Sequence, residues 1–309
     1  MNKNPSRGQA SAHFLFQQLS KPYGYLVQSS GALHLFLILL HQDFEDFFSQ
    51  GFNSKLARIS LMAQTRIVQS HPALILEEKK RHLIVTDLHI GFESTLAAND
   101  IYVEPKTIVQ ETLDELTSLI ESEKPDSLIL LGDIKSSIDS ISNAEWQAVP
   151  LFFEIAKKID TMLVPGNHDG NIQKLLPNEV RLASSSGVVI EDTLLTHGHT
   201  MPSENLSHIK KIVMGHVHPV FFREGSVLDG QRVWVSLRTE KSSLFPSTKG
   251  ELEIIIVPTF NKYFYATHKR YYKKSISPIL EHVKNFKSAK IVTLDGSIIG
   301  NESLLESVI

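Results

Sequence analysis

An α/β fold with two packed sheets is predicted from three observations. Apolar runs of strand length alternate with helical stretches from residue 73 to about 182. Beyond Leu182 the texture changes to strands joined by short turns. Acids, histidines and an asparagine recur just after the apolar runs, the place where α/β sheets gather ligands, beyond the strand carboxyl ends.

The elements follow in order. Residues 73–76 read as a strand, 77–81 as a polar turn, and 82–86 as a second strand that delivers Asp87 and His89. Residues 104–124 form an amphipathic helix, with Val109, Leu113, Leu116 and Ile120 on one stripe and Pro105 in the first turn. The apolar strand 127–131 ends at Gly132-Asp133. Asn143 can cap a helix running to Lys158, which Pro150 should bend or split. Strand 161–164 runs into Pro165-Gly166-Asn167-His168-Asp169, followed by a short helix-like stretch at 171–176. Strands at 187–190, 193–196, 211–214, 220–223, 232–237 and 252–257 supply a second, mixed or antiparallel sheet packed on the first.

Residues 1–66 differ from this pattern. Asn, Ser, Gln and Gly are frequent up to Gly31, an apolar-acidic segment spans 33–48, and no chemistry is legible there. The stretch is expected to be an accessory or poorly ordered extension, with a native start at Met62 as one alternative. Residues 67–309 are expected to fold as one domain. The longest apolar run, 32–40, is far shorter than the ~18 residues a membrane span requires, so no membrane partner and a cytoplasmic location are expected.

Composition narrows the chemistry. No cysteine is present, which excludes disulfides, thiolate nucleophiles and Cys-based zinc sites and fits a reducing compartment. The net charge of −3 means that any nucleic-acid affinity needs a local patch. The strongest basic-aromatic cluster is 268–274, where Lys269, Arg270, Lys273 and Lys274 could meet phosphates and Tyr271 and Tyr272 could stack on bases. The same run is equally legible as a solvated face.

Five clusters carry the functional signal: Asp87-x-His89, Gly132-Asp133, Gly166-Asn167-His168-Asp169, His197-Gly198-His199 and Gly215-His216-x-His218. Asp87 and His89, two apart at a strand end, point to one side. The Asp133 carboxylate can be shared between two cations. A first ion would take Asp87, His89, Asp133 and one late histidine; a second would take Asp133, the Asn167 amide oxygen and two histidines. Such shells suit manganese, iron, nickel or zinc and are too nitrogen-rich for magnesium or calcium. Two ions roughly 3.5–4 Å apart would clamp a phosphoryl group and supply hydroxide at neutral pH. His168 is placed to protonate a leaving oxygen or to stabilise transition-state charge, with Asp169 able to orient or tune it. Glycines 91, 132, 166 and 215 read as turn residues, Glu93 as either a partner of a ligand or a surface acid, and His82, His208 and His282 as structural.

The ordered set of clusters resembles the calcineurin-like metallophosphoesterase superfamily. That likeness implies a four-layer α/β/β/α sandwich of two mixed sheets, with His218 joining the first metal and His197 and His216 the second. His199 is left behind a ligand or beside the substrate. Within the superfamily, Asp87-Leu-His-Ile-Gly-Phe-Glu93, Gly132-Asp-Ile-Lys135, Val257-Pro-Thr-Phe-Asn261 and Leu294-Asp-Gly-Ser-Ile-Ile-Gly300 resemble phosphoesterases related to the recombination nuclease SbcD. That branch implies phosphodiester cleavage, DNA or RNA as substrate, manganese, a role in DNA repair, and a helicase or ligase partner; a homodimer is compatible with it. Many superfamily members carry a second acid three residues after the bridging Asp, where this chain has Ser136. The alternatives are a small-molecule nucleotide phosphodiesterase and a non-catalytic platform subunit.

Overall fold

The computed structural model describes residues 63–104, 106–264, 277–283 and 286–308. The chain divides into the units Met1–Ser60 and Leu61–Ile309, and all described residues belong to the second. The expectations for residues 1–62 and for the cluster 268–274 lie outside the described residues.

The first sheet contains β1 (Gln64–Ile67), β2 (Leu74–Glu77), β3 (Arg81–Val85), β4 (Ser127–Leu130), β5 (Asp160–Leu163) and β6 (Val180–Leu182), side by side in that order. Pairing is antiparallel from β1 to β3 and parallel from β3 to β6. The second sheet contains β7 (Val188–Ile190), β8 (Thr193–Thr196), β9 (Lys211–Met214), β10 (Val220–Phe221), β11 (Gln231–Glu240), β12 (Glu251–Ile256), β13 (Phe286–Thr293) and β14 (Ile298–Gly300). Its order is β14-β13-β11-β12-β9-β8-β7, with β10 on β11, and β8, β9 and β12 run parallel.

Alternation along the strands builds the layers. Ile75, Leu83, Val85, Leu128, Leu130 and Leu163 face the helices α2 (Thr107–Glu123) and α3 (Asn143–Phe152). The opposite faces, Leu74, Leu76, Ile84 and Ile129, pack against Leu195, Val213 and Trp234 of the second sheet. The outer face of that sheet is covered by a thinner helical layer, α4 (Pro278–His282) and a 3-10 turn at Glu302–Ser307, through Ile279, Leu305 and Val308. This is the expected four-layer α/β/β/α sandwich with two mixed sheets.

Local differences have local causes. Helix α2 begins at Thr107 because Lys106 adopts a left-handed conformation with φ 76°. Helix α3 is capped by Ser142, not Asn143, in a box closed by Glu145. It gives way beyond Pro150 to the 3-10 turn Phe153–Lys157, as a residue without an N–H requires. A short helix α1 (Glu93–Ala97) follows the first ligand turn. Among the described residues no helix is long and apolar enough to cross a membrane.

Candidate metal centre

Five strands release functional side chains at their carboxyl ends. In the first sheet β3 leads to Asp87 and His89, β4 to Asp133, and β5 to Asn167 and His168. In the second, β8 leads to His197 and β9 to His216 and His218. Donor atoms of Asp87, His89, Asp133 and His218 lie within 4.8 Å of one another, as do those of Asp133, His197 and His216. Asn167 Oδ1 joins the second group, 3.2 Å from His197 Nε2. All seven side chains expected as metal ligands therefore lie in or against two groups that share Asp133.

The backbone is bent to achieve this. Asp87, His89, Asp133, His216 and His218 have φ of 58°, 43°, 52°, 69° and 50°. Left-handed conformations cost a non-glycine residue about 1–3 kcal/mol and persist only where the surroundings enforce them. At Asp87 and His89 enforcement comes from the segment after β12. Thr259 Oγ1 donates to the Asp87 carbonyl at 2.7 Å, Phe260 N to the Thr86 carbonyl at 2.9 Å, and Asn261 Nδ2 to the Leu88 carbonyl at 3.0 Å. Residues 257–261, noticed in the sequence only by likeness, are thus a clamp on the Asp87–His89 turn. Gly166 complements the clamp by leaving space, since a Cβ there would come within 2.6 Å of Asp133 N and collide with Asp133 Oδ1.

Burial sets the electrostatics. Asp87, His89, Asp133 and His197 are at most 1 % exposed. Burial alone would raise the Asp87 carboxyl, but His218 and His197 hold it below the usual carboxylate range. Burial likewise opposes ionisation of Asp133, and His197 holds it well below that range. Burial pushes His89 down to about 3, and burial with the charge of His197 pushes His216 to about 4. Both rings are therefore neutral at neutral pH. His197 differs: burial disfavours its charge, yet Asp133 and Asp87 outweigh burial and raise it to about 9. Its Nδ1 donates to the Leu131 carbonyl at 2.7 Å, which aims Nε2 at Asp133 Oδ1, 3.3 Å away.

This donor set fits divalent cations. Asp87 Oδ1 is buried 3.0 Å from His218 Nε2, which in turn lies 3.3 Å from His89 Nε2. Buried carboxylates beside neutral imidazole nitrogens call for positive charge between them. A cation at His197 Nε2 must displace a proton, whereas His89 and His216 have none to lose near neutrality. Manganese binding is accordingly expected to release about one proton per chain and to weaken about tenfold per unit as pH falls below about 9. Calorimetric titration in buffers of different protonation enthalpy checks this; affinity constant from pH 6 to 8.5 would count against it.

Asp169 behaves differently from expectation. The Asp169 carboxylate does not orient His168: Oδ1 accepts from Ile134 N at 2.9 Å and Oδ2 from Gly166 N at 2.8 Å. It ties the Asp133 turn to the Gly166 turn, and burial, with Asp133 nearby, raises its pKa to about 6. His168 Nδ1 instead lies against the Ser136 carbonyl, and its Nε2 stands 3.9 Å from Asp133 Oδ2. Lys135, fully buried, points its ammonium at the carbonyls of Ser137, Ile138 and Ser140, away from the ligands.

Other residues also find their places. Glu93 is buried, not a surface acid, and its Oε2 has no hydrogen-bond partner among the described residues. The His199 ring lies 5.3 Å from His197 and 6.2 Å from His216, behind the second group. His82 bonds Ser127 Oγ at 2.6 Å, as a structural histidine should. Phe264, which the sequence reading missed, stacks on His89 at 4.6 Å and tilts against His218 at 4.4 Å. No local pattern marks it, since the contact joins residues far apart in the chain.

Residues 80–244 match the sequence profile described as calcineurin-like phosphoesterase. No curated protein matches the chain. Among solved structures it is similar to the Pseudomonas putida nuclease MPE, with 18 % identity, TM-score 0.49, and 77 % of this chain and 100 % of that chain covered. It is also similar to Yfce, a phosphoesterase from E. coli, with 16 % identity, TM-score 0.34, and 72 % and 98 % covered. A third is a conserved uncharacterised protein, a predicted phosphoesterase, from Streptococcus pneumoniae, with 14 % identity, TM-score 0.25, and 71 % and 92 % covered. Likeness at this level adds nothing to the architecture already described.

Proposed function

We propose, for a chain that belongs to the calcineurin-like phosphoesterase family, that it hydrolyses phosphodiester bonds at a pair of divalent cations and acts on nucleic acid. The observation that carries this reading is the sharing of Asp133 between two donor groups. Asp87, His89, Asp133 and His218 would hold one cation, and Asp133, Asn167, His197 and His216 the other. Bound there, the pair supplies Lewis-acid charge for a phosphoryl group and a hydroxide nucleophile at neutral pH.

The remaining work falls to the chain. The buried Asp87 and Asp133 carboxylates keep the pocket anionic, and the clamp from Thr259 to Asn261 keeps the donors preorganised. His168 is 22 % exposed at the edge of the first group. With Nδ1 donating to Ser136, its Nε2 can deliver a proton to the leaving oxygen. Likeness of the 87–93, 132–135 and 257–261 segments to SbcD-related phosphoesterases supports manganese and a nucleic-acid substrate, with a helicase or ligase as the partner to look for.

An activity panel with manganese tests the reading: an aryl phosphodiester, cyclic nucleotides, single- and double-stranded DNA, and RNA. Turnover of the aryl diester and of a nucleic acid, abolished by chelation, is expected. No hydrolysis of any diester by metal-loaded protein would overturn it, and cleavage of cyclic nucleotides alone would shift it to a small-molecule enzyme.

A further inference from the structure

Asp169 does not reach His168, but another buried carboxylate reaches the same ring through one peptide group. His168 Nδ1 lies against the Ser136 carbonyl. The N–H of that same peptide unit, carried by Ser137, donates to Glu145 Oε1 at 2.6 Å. A trans peptide is planar, with its C=O and N–H pointing in opposite directions. An acceptor that fixes the N–H therefore fixes the direction of the carbonyl. Charge acts in the same sense, because a carboxylate at the N–H end polarises the unit and strengthens its oxygen as an acceptor.

Glu145 is held for this arrangement. It is fully buried, its Oε2 accepts from Ser142 N at 2.7 Å, and its own N–H donates to Ser142 Oγ at 3.2 Å. Its side chain passes where Gly91 leaves room, since a Cβ there would lie 2.7 Å from Glu145 Cγ. Both sides of the 136–137 peptide are pinned: Ser136 N donates to the Ile90 carbonyl at 3.0 Å, and the Lys135 ammonium holds the carbonyls beyond. A capping box uses one oxygen of its glutamate. The second oxygen is the one aimed at Ser137.

We infer that Glu145 is a positioning residue for the reaction, acting through the Ser136–Ser137 peptide to hold the His168 ring with Nδ1 as donor and Nε2 presented to the leaving oxygen. This rests on the reading that His168 assists leaving-group departure. The Glu145 side chain transfers no proton in this role.

The test uses the full manganese-loaded chain and two phosphodiesters that differ in leaving group, one nitrophenyl and one alkyl. An alkoxide needs protonation as it departs, and a nitrophenolate does not. Glu145→Gln is expected to lower kcat about tenfold on the alkyl substrate and less than about twofold on the nitrophenyl one. KM and bound metal should not change, and in a His168→Ala background the substitution should cost nothing more. Glu145→Asp, which shortens the reach but keeps the charge, should show the same dependence and covers the case in which the glutamine variant does not fold. Ser142→Ala breaks the cap yet leaves Oε1 on Ser137, so it should lower thermal stability without any leaving-group dependence. A Glu145→Gln variant that spares both substrates, or slows both alike and multiplies the loss in His168→Ala, would overturn the inference while the role of His168 stands. His168→Ala without leaving-group dependence would sink that role, and this inference with it.

Discussion

Asp133→Asn is expected to lower kcat/KM by more than about 10³-fold, since even partners standing behind metal ligands cost 10–100-fold. The substitution is chosen because asparagine accepts left-handed backbone readily, so the φ of 52° at this position need not change. What changes is charge and donor character. One oxygen becomes an amide nitrogen, a donor without a usable lone pair, in a cleft where Oδ1 faces His197 and Oδ2 faces His89 and His168. The two groups can no longer both draw an oxygen from this residue, so bound metal should fall from two ions per chain to at most one. Elemental analysis after gel filtration, beside an aryl diester assay, measures both. Two tightly held ions in the variant would contradict the shared role of Asp133.

His168→Ala should separate chemistry from metal binding. Its imidazole lies against the Ser136 carbonyl and stands 3.9 Å from Asp133 Oδ2, outside both donor groups. Metal content and thermal stability are therefore expected to hold, while turnover falls about 10²-fold or more on substrates with poor leaving groups, the usual worth of a positioned proton donor. Loss of metal together with fold would show that the ring is structural. The backbone N–H of residue 168 donates to Asp133 Oδ1 at 2.9 Å, and alanine retains that bond.

Much of this was legible in the sequence because the relevant patterns are local. Residues 193–196 and 211–214 announce β8 and β9 with their observed bounds, and the donors follow the strands directly. Strand β1 escaped the reading because it is a short edge strand whose residues alternate between exposed and half-buried, giving no apolar run. β13 buries alternate residues only from Ala289 to Thr293, after the exposed Phe286 and Lys287, so its sequence carries a weak period-two signal. Side-chain partners were the harder part. Asp169 adjoins His168 in the chain, yet its carboxylate turns to the amides of Ile134 and Gly166. Glu145, far along the sequence, ends up behind the peptide that holds the ring. The left-handed conformations of two aspartates and three histidines were equally hidden, since no propensity of those residues demands them. They arise from contacts such as Thr259 on the Asp87 carbonyl, which only the folded chain creates.

The central claim is that two cations meet at one carboxylate. Electron paramagnetic resonance of the protein titrated with manganese addresses it directly, because ions bridged by a shared ligand couple magnetically and distant ions do not. Two manganese ions per chain and a coupled spectrum at saturation are expected, lost in Asp133→Asn. A wild-type spectrum that keeps only the six-line pattern of isolated ions, or saturation at one ion per chain, would contradict it.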